Sequence, residues 1–236
     1  MFKGSSLSVV IIGSAWATLV CSLACAGQNM NSGEARSQGS VSSMLITAFE
    51  PFAGSVHNKS AQTADILKRS LMRDLPQLHV EVCILPVEYD RATDELFKYL
   101  KKMNPPAQRI LGLGEKTTSA LRLETQAANW DDEKKGSDAA GNWRQGQVIV
   151  PGAPQVLRFS GFPVQAMMDR IVPADRNKIV RSTDMDNFVC NNTAYRTELR
   201  LKGQLPFLFI HVPDGYSPNN DPQQSARLIL ELAPWL

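Results

Sequence analysis

From Leu45 onward, short runs of β-branched and apolar residues alternate with stretches of helical spacing. That alternation restricts the chain to an α/β fold on a largely parallel sheet. Leu45-Ile46-Thr47-Ala48-Phe49 reads as the first strand, and Ala64, Ile66, Leu67 and Leu71 place one apolar face on a helix over residues 60–72. A strand over 80–85 and a helix over 90–103 follow, the helix stopped by Pro105-Pro106 before a strand at 109–113. Further on, the pattern predicts a helix over 163–171, a strand over 178–182, a helix over 191–201, a strand over 205–212 and a closing helix over 223–232. The expected architecture is a single-domain, three-layer α/β/α fold with a largely parallel central sheet.

The first 43 residues do not share this pattern. Lys3 precedes an apolar run, Leu7 to Leu23, and Ala24-Cys25-Ala26 is a small-x-small site of the kind a signal peptidase cuts after, so residues 1–26 read as a signal peptide. A membrane anchor is the alternative that length allows. A lipoprotein signal on Cys25 is the less favoured one, because Ser22 stands where a lipobox has Leu. Residues 27–43 are Gly-, Asn-, Ser- and Gln-rich with nothing to bury, a flexible linker. The folded domain is expected over 44–236, about 190 residues, enough for a full core. The export reading places the protein in the periplasm or outside the cell, with no stable membrane span once the signal is removed.

The formal net charge of +2 argues against a nucleic-acid partner. No cofactor is called for: the three histidines, His57, His79 and His211, have no pair at metal-ligand spacing, and Gly112-Leu113-Gly114-Glu115-Lys116 fails the phosphate-loop test because Glu115 stands before the Lys. A Gly-x-Ser-x-Gly elbow is absent as well. The polar stretch 129–147 is long enough for a lid or binding loop, and a plain solvated excursion fits it equally.

Two cysteines remain in the domain. Cys83 lies in an apolar strand, where a small buried hydrophobe is the ordinary reading, although a bridge to Cys190 is open. Cys190 falls where a strand gives way through a polar turn to a helix, so helix N-terminal amides would favour its thiolate and could donate to an oxyanion. His211 closes the apolar run Leu208-Phe209-Ile210, at the strand edge where α/β folds place their sites. On the residues alone, a structural reading of both is favoured over a catalytic one.

Four segments change that balance. Thr47-Ala48-Phe49-Glu50-Pro51-Phe52-Ala53-Gly54 with Asn58-Lys59-Ser60, Leu123-Glu124-Thr125-Gln126-Ala127-Ala128-Asn129, Ser182 through Asn191, and Phe209-Ile210-His211-Val212-Pro213 together resemble the pyroglutamyl peptidase I (pyrrolidone-carboxylate peptidase) family. The resemblance covers nearly all of the domain. It implies a cysteine peptidase that removes an N-terminal pyroglutamyl residue from small peptides, with Cys190 as nucleophile, His211 as general acid and base, and Glu124 orienting the imidazole. It also implies that Phe49, Phe52, Phe188 and Val189 line the slot for the flat pyrrolidone ring, its lactam groups read by backbone. Without the family, Phe49 and Phe52 would pass as core. A slot of this kind should reject a charged N-terminus, since an ammonium buried among phenyl rings without a partner costs several kcal/mol.

This chain departs from the family's pattern at Ala48, Leu113, Glu115-Lys116 and Met185-Asp186, the last just ahead of the nucleophile where the family has Ala-Gly. Asp186 should therefore occupy a backbone position suited to Gly and oppose thiolate formation. The departures open two further readings: an exported binding protein for cyclised or blocked peptide ends with little or no turnover, and a cysteine hydrolase of another small lactam or amide. Asn191-Asn192-Thr193 is a glycosylation sequon beside the nucleophile, which favours a bacterial envelope over a eukaryotic secretory route. A homo-oligomer is compatible with the sequence.

Overall fold

From Ser43 to Phe49 every residue of strand β1 (Ser42–Phe49) is buried, as expected of a strand covered on both faces. The computed structural model describes residues 42–132, 136–217 and 219–236, all within one compact unit, Ser40–Leu236. Residues 1–26, expected to be a signal peptide, and nearly all of 27–43, expected to be a linker, lie outside the described residues with Cys21 and Cys25; β1 itself opens at Ser42.

Beyond β1 come α1 (Lys59–Asp74), β2 (Leu78–Leu85), α2 (Arg91–Leu100), β3 (Arg109–Lys116), β4 (Leu121–Glu124), β5 (Gln126–Ala128), β6 (Val156–Arg158), α3 (Val164–Arg170), β7 (Ile179–Ser182), α4 (Val189–Leu201), β8 (Phe207–Pro213) and α5 (Pro222–Leu230). Six strands form one sheet in the order β2-β1-β3-β8-β4-β7. The pairs from β2 to β8 are parallel and β4 pairs parallel with β7, but β4 meets β8 antiparallel. The protein is thus an α/β fold with a mostly parallel six-stranded sheet flanked by helices, as the alternation predicted.

The pleat sorts β1 between two cores. Met44, Ile46 and Ala48 join Ala64, Leu67 and Leu71 of α1 and Ala226 and Ile229 of α5, whereas Leu45 and Phe49 join Leu96 of α2 and Ala194 and Tyr195 of α4. Burying a side chain of that size contributes roughly 1.5–3 kcal/mol, so the layers are held by these stripes. α1 starts at an Asn58 cap whose side chain accepts from Ser60 N at 2.9 Å and donates to Glu50 O at 3.0 Å. Ser60 Oγ in turn accepts from Phe49 N at 3.1 Å. The Asn-Lys-Ser segment therefore fixes the end of β1, and with it Phe49, against the start of α1.

One strand went unread and two expectations need correction. β4 escaped the hydrophobic pattern because Arg122 and Glu124 alternate with its leucines, yet Glu124 is fully buried. The helix expected to start at Asn191 begins at Val189, which puts Cys190 inside its first turn. The alternative bridge between Cys83 and Cys190 is not formed; both thiols are free.

Candidate active site

β3 and β8 run side by side with Gly114 opposite His211, and their C-terminal ends open on a cavity of about 1000 Å³. Cys190 reaches this cavity from α4, and Gly114 is what lets it approach: a Cβ built there would lie 2.8 Å from the Cys190 Sγ, closer than real Cβ contacts come. Gly112, two residues earlier, makes room for the Phe209 ring in the same way. The glycines that mimic a phosphate loop in sequence are thus close-approach positions for the Cys190 sulfur and the Phe209 ring.

His211 is 2% exposed and Glu124 is fully buried. His211 Nδ1 lies 2.9 Å from Glu124 Oε1. A carboxylate only accepts, so the imidazole proton sits on Nδ1 and Nε2 is left as the acceptor. The antiparallel β4·β8 junction makes this contact, with Arg122 paired to His211 and Glu124 to Phe209 across the strands. Arg122, which the sequence reading passed over, reaches Glu124 Oε1 at 3.4 Å and donates to Ser182 Oγ at 2.7 Å, tying the carboxylate to β7. Phe209 packs edge-on against the imidazole at 5.1 Å between centroids.

The thiol's surroundings reverse one expectation. Burial, with Glu115, Asp186 and Glu124 adding negative charge, pushes Cys190 up to about 12, and Lys116 opposes them only in part. The resting side chain is a thiol. Asp186 has φ +57, the left-handed geometry its place in the motif implied. Its carboxylate is paired, however: Lys116 Nζ lies 3.0 Å from Asp186 Oδ1 and donates to Asp184 O at 2.8 Å. The departures at 115–116 and 185–186 therefore touch each other, and Lys116 braces the turn ahead of α4.

Phe49, Phe52, Phe188 and Val189 all line the cavity with Cys190 and His211. Phe52 and Phe188 stand 5.7 Å apart, and Tyr89 meets Phe188 edge-on at 5.5 Å. The slot is not wholly apolar, since Glu115, Asp138, Asp186 and Asp214 line it too. The expectation that an ammonium would find no partner there is not met. Among the described residues no group of three or more His, Cys, Asp or Glu is placed to hold a metal, and no helix is long and apolar enough to cross a membrane.

The described residues of the polar stretch 129–147 are anchored rather than forming a plain excursion. Arg144 donates to Asp90 at 2.7 and 3.2 Å and to Asp131 at 3.0 Å, and its guanidinium sits 4.5 Å from the Tyr89 ring centroid. Asp131 also accepts from Asn192 at 2.7 Å; burial pushes this carboxyl up to about 6 against the pull of Asn192 and Arg144. Asn191 is 1% exposed and its amide donates to Ala128 O and Trp130 O, so the sequon asparagine is a structural clamp of the folded chain.

A thiol in a helix's first turn that shares a cavity with a carboxylate-paired imidazole, at the strand ends of an α/β sheet, is the arrangement of a cysteine hydrolase. Comparison with known proteins makes the assignment specific. Residues 42–225 match the model of the pyroglutamyl peptidase family. The chain is 30% identical over 187 residues to the pyrrolidone-carboxylate peptidase of Pectobacterium carotovorum, covering 78% of this chain and 81% of that one. It is 31% identical over 183 residues to that of Thermococcus litoralis, covering 75% and 77%. Among solved structures, pyrrolidone carboxyl peptidase from Fervidobacterium islandicum superposes with a TM-score of 0.69 at 26% identity, over 83% of this chain and 100% of that one. The Thermus thermophilus enzyme gives 0.67 at 27% identity, over 82% and 100%. The chain belongs to the pyroglutamyl peptidase family of cysteine hydrolases.

Proposed function

We propose that the protein removes N-terminal pyroglutamyl residues from small peptides, with Cys190, His211 and Glu124 as the catalytic triad and Phe49, Phe52, Phe188 and Val189 as the walls of the pyrrolidone slot. One observation carries the assignment of roles: a buried carboxylate–imidazole pair 2.9 Å apart that shares its cavity with a half-buried thiol in a helix's first turn. Because the thiol is protonated at rest, its proton passes to His211 Nε2 as Sγ attacks the pyroglutamyl carbonyl. Amides at the start of α4 are the donors available to the oxyanion, and Glu124 stabilises the imidazolium. His211 then protonates the departing amine, the C–N bond breaks, and water attacks the thioester with His211 as base to release pyroglutamate and restore the thiol.

A fluorogenic pyroglutamyl-amide assay on the chain lacking residues 1–26 is the direct test. Turnover lost on Cys190 alkylation supports the reading. Tight pyroglutamyl-peptide binding without turnover would instead favour the binding-protein reading, for which the elevated Cys190 thiol is the supporting observation.

We also propose that residues 1–26 direct export and that the mature chain starts near Gly27, on the strength of the Ala24-Cys25-Ala26 pattern. N-terminal sequencing from the native host checks this, and a lipid-modified start at Cys25 would overturn it.

A further inference from the structure

Among the described residues outside the triad, Asp131 is the one carboxylate with no solvent exposure at all. Its Oδ2 accepts from the Asn192 amide at 2.7 Å and from Arg144 at 3.0 Å. Its Oδ1 has no hydrogen-bond partner among the described residues. A single oxygen therefore carries both of the bonds that hold the charge. A buried carboxylate with half its lone pairs unmet is costly, so it stays ionised only while both donors stay in place.

The two donors lead to different parts of the site. Asn192 lies in the first turn of α4, two residues after Cys190, and its side-chain oxygen accepts from Asp90 N at 3.2 Å. Arg144 bonds both oxygens of Asp90 and lies over the Tyr89 ring, and Tyr89 meets Phe188, the residue that caps α4, edge-on. Asp90 itself has φ +59, a left-handed geometry that persists only where the surroundings hold it. Asp131 is thus the point where the 129–147 segment, the turn between β2 and α2 and the start of α4 are tied together. The charged groups that face it are Arg144 on its own segment and Asp90 from that turn, while Arg196 of α4 pairs with Asp90 at 3.2 Å, one contact further out. Asp132, the next residue, is turned to Gly146 N.

Resting on the pyroglutamyl reading above, we infer that Asp131 is a positioning residue whose ionised carboxylate draws Arg144 and Asn192 together, fixing the Phe188 wall against the first turn of α4, so that turnover depends on its charge. Ionised, it accepts two strengthened bonds. Protonated, it leaves both as ordinary hydrogen bonds, Arg144 is held by Asp90 alone, and the backing of Tyr89 and Phe188 loosens. Because burial lifts this carboxyl to about 6, the charge is present above that pH and lost below it. The brace therefore acts at neutral pH and releases in acid.

The test compares wild type with Asp131→Asn at pH 8 and pH 5, on a pyroglutamyl amide that has no titratable group of its own. Asparagine is neutral at both. Asp131→Asn lowers kcat/KM about tenfold at pH 8 and comes within about twofold of wild type at pH 5, where wild-type Asp131 is neutral as well. Taking the ratio at each pH cancels the titration of His211 and Cys190, which the two proteins share. A purely structural Asp131 gives the same deficit at both pH values, and that result overturns the inference, as does no deficit at pH 8. Where Asp131→Asn does not fold, Arg144→Gln decides: its deficit at pH 8 shrinks about threefold or more at pH 5, and an equal deficit at both overturns the inference. If wild type turns over nothing at either pH, calorimetric titration of the same proteins with pyroglutamamide reads the same ratios as Kd values, so failure of the catalytic reading stays distinct from failure of this one.

Discussion

Cys83, inside β2, and Cys190, in the first turn of α4, both carry thiols that burial pushes up, to about 11 and about 12. They contribute to the same apolar layer, Cys83 within it and Cys190 packed against its edge. Their resting ionisation does not tell them apart; their neighbours do. Cys83 has Leu85 and Leu96 in its cluster and only Glu95 as a charged influence. Cys190 opens on the cavity with His211, on a helix end whose amides have no intrahelical acceptor. If Cys190 is the nucleophile proposed above, it is marked by access to His211 and to helix-end amides, rather than by a thiolate formed in advance.

The largest effect expected from this contrast is loss of turnover in Cys190→Ala, on the order of a thousandfold or more in kcat, as for removal of a nucleophile that acts as a unit with its base. Cys83→Ala should keep kcat/KM within about twofold and lose about 1 kcal/mol of stability from the small void. Parallel steady-state assays and thermal melts on the two variants measure both. Equal activities would mean that the two thiols do not differ in the way their neighbours suggest.

Glu124→Gln sharpens the comparison by leaving Cys190 in place and disturbing only its base. The amide can donate to Nδ1 and so trap the tautomer with its proton on Nε2, where it cannot accept from the thiol. A fall in kcat of about 10²- to 10⁴-fold is expected, with KM little changed, because Glu124 reaches the substrate only through His211. A shift confined to KM would place Glu124 in binding instead.

How much of this was legible from the residues varies with the kind of signal. β1, α1, β3 and β8 announce themselves because apolar residues repeat at the period of the element that buries them. β4 does not, since its exposed-looking Glu124 is buried against His211 of β8 and its half-buried Arg122 bonds Ser182 of β7, contacts that arise only once those two strands lie on either side of it. Cys190, His211 and Glu124 were picked out through motif resemblance, whereas Gly114 and Glu115 were set aside as a failed phosphate loop. Their roles depend on which sulfur and which amide lie across the gap, Cys190 Sγ and Lys59 N, and neither is local in sequence. The pairing of Lys116 with Asp186 was hidden for the same reason, though both positions stood out singly.

That pairing sets the size of the smallest effect, the one expected from Asp186→Gly. Asp186 raises the Cys190 thiol, and Lys116, now bound to it, lowers the thiol. Removing the carboxylate takes away the first influence and leaves the lysine's charge less compensated, so both changes move the thiol's ionisation to lower pH. With the Asp186 side chain 58% exposed, solvent screens the interaction, and the iodoacetamide alkylation profile of Cys190 should move down by roughly half a pH unit to one. Stability should scarcely change. Relief of the left-handed backbone at φ +57 favours glycine by about 1 kcal/mol, and the greater freedom of glycine in the unfolded chain offsets about 0.4–1 kcal/mol of that. An increase in turnover at neutral pH, with an unchanged melting temperature, is then an electrostatic effect on the nucleophile and not a by-product of folding. An unchanged alkylation profile with lower turnover would have the opposite meaning: the Lys116–Asp186 brace would be holding the turn before α4 in the geometry that catalysis needs, and its charge would matter less than its grip.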